Sequence, residues 1–162
     1  GGARRESGVH HRGGFVSTKI NPDGSESPYE LNITYFDALS EPGKPDWPLH
    51  APRFLCSQII PLGLKGIPAL YFHSLTATRN DYAAVNRTGR VRSINRKKWG
   101  ESELLETLHD PQSAAAQVFG ELARLLRLRA DHPAFHPDGR QQVFYLGDAF
   151  FAFQRISPDE SE

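Results

Sequence analysis

Residues 66 to 99, GIPALYFHSLTATRNDYAAVNRTGRVRSINRKKW, constrain this chain more than any other stretch. A Gly-Ile-Pro start leads into a short apolar run, Ile67 to Phe72, bounded by Gly66 and His73. Such a run predicts a strand covered on both faces, as in the parallel sheet of an α/β protein. A long polar loop follows, carrying Asn80-Asp81 and then Arg90, Arg92 and Arg96. A buried strand that ends by presenting amides, acids and guanidinium groups is how α/β folds build one wall of an active site.

The flanking sequence supplies the other elements. Phe15 to Lys19 reads as extended, and Asn21-Pro22-Asp23-Gly24 is a strong turn signal. In SESPYELNITYFDAL, Pro28 disfavours helix at Ser27, and Leu31, Ile33 and Tyr35 alternate as in a strand. Glu41 to Pro52 holds four prolines and a glycine and predicts a loop. Arg53 to Leu64 is apolar on one side and predicts a helix limited by Pro61. Glu101 to Leu108 fits a short helix. Asp110-Pro111 opens the clearest one, Gln112 to Ala130, with Val118, Leu122, Leu125, Leu126 and Leu128 inward and Glu121, Arg124, Arg127 and Arg129 outward. His132-Pro133 ends it, and the period then changes to strand-like at Val143–Tyr145 and Phe150–Arg155, around the turn Leu146–Ala149. Residues 134 to 162 therefore read as the opening of a small β domain, and residues 1 to 133 as α/β.

At 162 residues the chain is one domain or a piece of a larger protein. Its 19 basic and 19 acidic residues cancel, so no overall field draws it to nucleic acid or anionic lipid. No apolar run approaches the length of a membrane span. The single cysteine, Cys56, has no partner for a bridge and predicts a small buried side chain in a reducing cytoplasm. The seven histidines, at 10, 11, 50, 73, 109, 132 and 136, lack metal-ligand spacing, and no cofactor motif is present. The chain contains no methionine, and its first 13 residues read as the tail of an earlier helix or loop, so a longer parent protein is expected.

Three groups could carry chemistry, and each has a plainer use. Arg92 offers a rigid fork of donors for a carboxylate or a pair of sugar hydroxyls, or else is a solvated surface arginine. Asn80-Asp81 could hold sugar hydroxyls or cap the segment that follows. Tyr29-Glu30 sets a phenol beside a carboxylate, suited to a sugar, a phosphate or proton transfer. Its plainer form is a packed tyrosine beside a solvated glutamate. No pair of carboxylates spaced for glycosidic acid-base work stands out.

Taken together, NPDGSESPYELNITYFDAL, GIPALYFHSL, RND and RVRSINRKKW resemble, in order and spacing, the sucrose phosphorylase group of the alpha-amylase superfamily (glycoside hydrolase family thirteen). The long helix ending RLRADHPAF is similar to that group's last barrel helix, RFRxxHPAF. The resemblance covers about residues 13 to 155. It implies the C-terminal portion of a (β/α)8 TIM barrel, followed by the start of a small, truncated β-sandwich-like domain.

The resemblance also implies a retaining glycosyltransferase that moves an α-glucosyl unit between an α-glucoside and phosphate, through a covalent intermediate. The glucoside would be sucrose, sucrose 6-phosphate or glucosylglycerate. The nucleophile, the acid/base and the stabilising aspartate would all precede Gly1, so this piece alone is expected to be inactive. Arg92 matches the arginine that grips the glucosyl unit. Tyr29 and Glu30 match an acceptor loop whose tyrosine helps bind phosphate, and Asn80-Asp81 match a dipeptide after the eighth strand. Sucrose phosphorylases usually carry Tyr-Gln where this chain has Tyr-Glu, a departure that leans toward glucosylglycerate or phosphorylated sucrose. The stretch Pro42 to Leu49 looks longer than in sucrose phosphorylases. The implied partners are a small carbohydrate and inorganic phosphate, with no cofactor, no nucleic acid and no membrane; a homodimer of the full-length enzyme is compatible with the sequence. An α-glucoside hydrolase of the same superfamily and a non-catalytic carbohydrate-binding or interaction remnant are the alternatives. Barrel strands without neighbours leave unpaired edges and exposed apolar faces, so a piece of this length is expected to be marginal or aggregation-prone.

Overall fold

The turn at Asn21–Gly24 closes the first of two hairpins in the structure, a computed structural model that describes residues 2–44 and 48–161. Gly1, Glu162 and, within the proline-rich loop, Pro45, Asp46 and Trp47 lie outside the described residues. Helix α1 (Gly2–His11) leads into β1 (Phe15–Ile20), which pairs antiparallel with β2 (Glu26–Asn32). Gly24 takes the positive φ of 81° that the turn needs, and its N–H donates to Asn21 O at 2.9 Å. Asp23 accepts from both the backbone N–H and the hydroxyl of Ser25, which holds its carboxyl below the usual range.

Five helices and a 3-10 turn follow. They are α2 (Tyr35–Ala38), α3 (His50–Gly63), α4 (Phe72–Leu75), α5 (Tyr82–Thr88), the 3-10 turn Val91–Asn95 and α6 (Glu101–His109). Helix α7 (Ala114–Asp131), a second 3-10 turn (Pro133–Phe135), and the antiparallel pair β3 (Arg140–Phe144) and β4 (Ala152–Ile156) complete the chain. The polar stretch after residue 76 is thus helical in part, where the sequence predicts loop. Asp81 caps the start of α5 and Gly89, at φ 65°, ends it, which is all a seven-residue helix requires.

The described residues form two compact units, 1–54 with 71–119, and 55–70 with 120–162. In the first unit, Phe36 and Phe54 are buried edge to face with centroids 5.2 Å apart, and His50 stacks on Phe36 at 3.9 Å. Val9, Ile94 and Val118 are also buried there, and burying each such side chain contributes about 1.5–3 kcal/mol. The second unit buries Leu62 and Leu122 and seats the Phe153 ring against Gly63.

Two arginines organise that second unit. Arg129 donates to Leu62 O, to Gly66 O (2.7 Å) and to Phe135 O (3.2 Å). Arg155, 8% exposed, donates to His136 O at 2.8 Å and to Gly63 O at 3.4 Å. Leu62 and Gly63 close α3, so both guanidinium groups satisfy carbonyls at the negative end of its dipole. Both also lie over the Phe135 ring, at 5.4 and 6.0 Å. Burial and the neighbouring Arg129 charge push Arg155 below the usual arginine value.

Four sequence expectations are overturned. Ile67 to Phe72 is no buried strand: residues 67–71 pair with no strand among the described residues, Ile67 is 85% exposed, and Phe72 begins α4. A parallel strand is held by neighbours on both sides, and the two described sheets are separate two-stranded hairpins. Cys56 is exposed, on a face of α3 that also exposes Ile59 and Ile60. Arg129 turns inward to the carbonyls, and Leu128 is exposed in its place. The predicted alternation through Ile33 and Tyr35 stops at Asn32, because Thr34 accepts from Asp37 N at 3.2 Å and caps α2.

Candidate functional site

Pairing in the first hairpin runs Ser17 with Glu30 and Thr18 with Pro28, so Tyr29 is the extra residue of a β-bulge. Pro28 cannot donate to the ladder, which makes a break in pairing cheap at this point. A bulge bends its strand and re-aims a side chain, and Tyr29 is accordingly 67% exposed. The next residue, Glu30, is directed at the 3-10 turn Val91–Asn95. Its Oε1 accepts from Arg92 Nε at 3.1 Å and from Arg92 Nη2 at 2.9 Å. Two residues singled out independently in the sequence, 62 positions apart, therefore meet. The pair is half open to solvent, with side chains 55% and 29% exposed, so it contributes no more than about 1 kcal/mol to stability. Its use is orientation: one carboxylate oxygen holds two arms of the guanidinium fork and fixes its plane.

Asn80 and Asp81 do positional work in this structure. Asn80 Oδ1 accepts from Thr34 N at 2.9 Å, and Asn80 N donates to the buried Asp37 Oδ2 at 2.7 Å. Asp81 accepts from Ala84 N at 2.8 Å, while its own N–H donates to Ile94 O at 2.8 Å. The dipeptide thus pins the start of α2 and the 3-10 turn that bears Arg92.

Sequence reasoning missed the residues just before that dipeptide. Ala77 is a buried non-glycine residue at φ 43°, a left-handed conformation that costs free energy. It is held by the hydroxyls of Thr76 and Thr78, 2.7 Å apart, by Trp99 Nε1 donating to Thr78 Oγ1 at 3.0 Å, and by His73 Nδ1 at 3.2 Å from the same oxygen. Lys97 lies over the Trp99 ring at 3.6 Å and pairs with Glu103 at 2.7 Å, which lowers the Glu103 pKa. Burial, and then the Lys97 charge, hold the His73 imidazole below its usual value. The Thr-Ala-Thr step and Trp99, just ahead of Gly100, were the available signals. A cleft of about 460 Å³ opens along this strained turn, between Arg79–Ala83 and Trp99.

Among the described residues no group of three His, Cys, Asp or Glu side chains is arranged to hold a metal, and no helix is long and apolar enough to cross a membrane.

No protein-family model matches the chain. It is 43% identical over 154 residues to a glucosylglycerate phosphorylase of Spirochaeta thermophila, covering 95% of this chain and 26% of that protein. It is 39% identical over 151 residues to a glucosylglycerate phosphorylase of Escherichia coli strain K12, covering 93% of this chain and 27% of that protein. The crystal structure of sucrose 6F-phosphate phosphorylase from Thermoanaerobacter thermosaccharolyticum superimposes with a TM-score of 0.69 at 25% identity, over 90% of this chain and 27% of that one. The chain spans about a quarter of the length of the relatives it matches. Over that span the homologues of the chain are glucosylglycerate phosphorylases, with further relatives among sucrose and sucrose 6(F)-phosphate phosphorylases, the group that its motifs resemble.

Proposed function

We propose that this chain is the C-terminal, acceptor-facing portion of a retaining glycoside phosphorylase that exchanges an α-glucosyl unit between glucosylglycerate and inorganic phosphate. In this reading residues 1 to 133 complete a (β/α)8 barrel of the alpha-amylase superfamily, and residues 134 to 162 begin the domain after it. The carboxylates that make and break the glycosidic bond stand on the part of the parent protein that precedes Gly1. The reaction needs no cofactor and takes place in the cytoplasm.

The observation that carries the reading is the Glu30–Arg92 fork. The reaction divides into making a glucosyl-enzyme and handing it to an acceptor other than water, which requires an acceptor wall that orients hydroxyls and tolerates an anion. Arg92 supplies fixed donors for the glucosyl hydroxyls. Glu30 holds the fork and cancels its charge, and the bulge sets Tyr29 forward as a phenol that can donate to phosphate. A glutamine in place of Glu30 would accept more weakly and leave Arg92 uncompensated, a physical reason for the acceptor preference to follow this position. Relatives at 39% to 45% identity are glucosylglycerate phosphorylases, which supports that glucoside ahead of sucrose.

The test is to incubate the complete parent protein with phosphate and, separately, glucosylglycerate, sucrose and sucrose 6-phosphate, and to follow the products by NMR. Alpha-glucose 1-phosphate formed fastest from glucosylglycerate is the expected result. Free glucose alone would assign a hydrolase, the beta anomer would exclude retention, and no turnover of any of the three would leave a binding role.

A further inference from the structure

Three consecutive residues, Asn80, Asp81 and Tyr82, each hold a different piece of the wall around Arg92. Asn80 Oδ1 accepts from Thr34 N at 2.9 Å, just past the exit strand β2 of the first hairpin. Asp81 N–H donates to Ile94 O at 2.8 Å, within the 3-10 turn that bears Arg92. Tyr82 Oη donates to Gly13 O at 3.0 Å, just ahead of the entry strand β1. That last bond joins residues 69 positions apart, and the capping of α5 does not need it.

The entry point is shaped to receive the hydroxyl. Gly13 takes φ 79°, and a Cβ there would collide with Tyr82 Oη. Gly14 is equally closed: a Cβ would stand 2.8 Å from Ile33 Cβ and 2.9 Å from Asn32 O, so the two strands touch at their base. The buried Asn32 donates to Ser17 Oγ at 2.8 Å, and Ser17 pairs with Glu30 beside the bulge. Glu30 in turn holds the Arg92 fork. The contacts form a closed circuit, from Tyr82 through Gly13, Ser17, Glu30 and Arg92 to Ile94 and back to Asp81. Four residues of strand span about 13 Å, so a small tilt at Gly13 carries Glu30 out of the guanidinium plane.

We propose that Tyr82 is a positioning residue: its hydroxyl closes this circuit and thereby sets the Tyr29–Glu30 bulge over Arg92. Tyr82 touches no reacting atom and acts through Gly13. Without the hydroxyl, Glu30 and Arg92 are present but out of register. The acceptor is then held less well, and water takes a larger share of the glucosyl unit. This consequence rests on the phosphorylase reading; the circuit itself does not.

Tyr82→Phe in the complete parent protein tests it. Tyr145→Phe is the control, because it removes an equivalent phenol bond, to Asp148 in the other unit. Tyr82 is half exposed, so the change removes a hydroxyl without opening a core. With glucosylglycerate as donor, Tyr82→Phe should raise KM for phosphate by about three- to tenfold, the range expected of one hydrogen bond. The ratio of free glucose to glucose 1-phosphate should rise with it, while kcat at saturating phosphate stays within about twofold. Hydrogen exchange read by mass spectrometry should be faster over residues 15–32. Tyr145→Phe should move none of these. A lower melting temperature with KM and product ratio unchanged would make the bond merely structural and overturn the proposal. An equal response from Tyr145→Phe would overturn it too. If the parent forms no glucose 1-phosphate, the phosphorylase reading fails and exchange alone decides. Faster exchange over the hairpin then keeps the circuit, and unchanged exchange removes it. Phosphorolysis with KM, product ratio and exchange all indifferent to Tyr82 would remove the positioning role and leave the phosphorylase reading standing.

Discussion

The two units of this chain use the same residue type for opposite ends. In the second unit Arg129 and Arg155 are turned onto backbone carbonyls, with Arg155 buried and no carboxylate hydrogen-bonded to either among the described residues. In the first unit Arg92 and Arg96 stand half open or open to solvent, one forked on a side-chain carboxylate and the other facing a cleft. A guanidinium that saturates carbonyls holds a fold together and has few donors left to offer. One that meets a carboxylate at the surface adds little to stability and keeps donors available for a ligand. Where an arginine sends its hydrogen bonds, more than its charge, separates a structural role from a recognition role.

That comparison is open to a direct break. Arg92→Ala in the complete parent protein should lower kcat/KM for glucosyl transfer by on the order of 2–5 kcal/mol, roughly thirtyfold to several thousandfold. The same variant should shift thermal unfolding by less than about 1 kcal/mol, because the ion pair it removes is exposed. A large loss of stability with near-normal turnover would place Arg92 in the structural class and remove the main site assignment.

Arg129→Met should show the reverse pattern. It removes a charged donor from three carbonyls and a cation from the Phe135 ring, so unfolding free energy should fall by about 3 kcal/mol. KM for phosphate should not move. An unchanged melting temperature would show that the carbonyls are satisfied equally well by water.

A smaller effect sharpens the reading of Asp81. Its carboxylate caps α5 through Ala84 N, and loss of such a cap costs about 1 kcal/mol. Asp81→Ala should lose that much stability, and Asp81→Asn or Asp81→Ser should regain most of it. If Asp81→Asn restores stability yet transfer stays impaired, the carboxylate has a second duty toward substrate.

The sequence showed the first hairpin and the extents of α6 and α7, because turn chemistry and helical period are local signals. It misled where the decisive interaction is non-local. Ile67 to Phe72 has the composition of a buried strand, but composition cannot supply the neighbouring strands that would pair with it. Arg129 falls on the polar side of a helical wheel, yet the carbonyls at the end of α3, more than sixty residues away, draw it inward. The bulge at Tyr29 and the left-handed Ala77 were invisible for the same reason: each is imposed by a partner segment, Ser17–Thr18 in one case and Trp99 in the other. Glu30 and Arg92 stand out one by one in the sequence as candidates; that their side chains meet was not legible there.

The smallest expected effect probes the network behind that geometry. His73 is held below its ordinary pKa of 6.5, first by burial and then by Lys97, while its ring nitrogen stays bonded to Thr78. As pH falls below 6.5, the unfolded chain takes up a proton at this position that the folded chain resists. Protons bound in excess by the unfolded state make stability rise with pH, so the contribution is complete above the ordinary value and is lost on acidification. Melting temperatures of wild type and His73→Gln, compared between about pH 7.5 and pH 5, should therefore converge as pH drops, since glutamine keeps a partner for Thr78 without titrating. Lys97→Gln removes the second cause and should make the acid loss shallower. Parallel curves for wild type and His73→Gln would mean that His73 titrates alike in both states, and that the strained turn at Ala77 is held by Trp99 and the threonines alone.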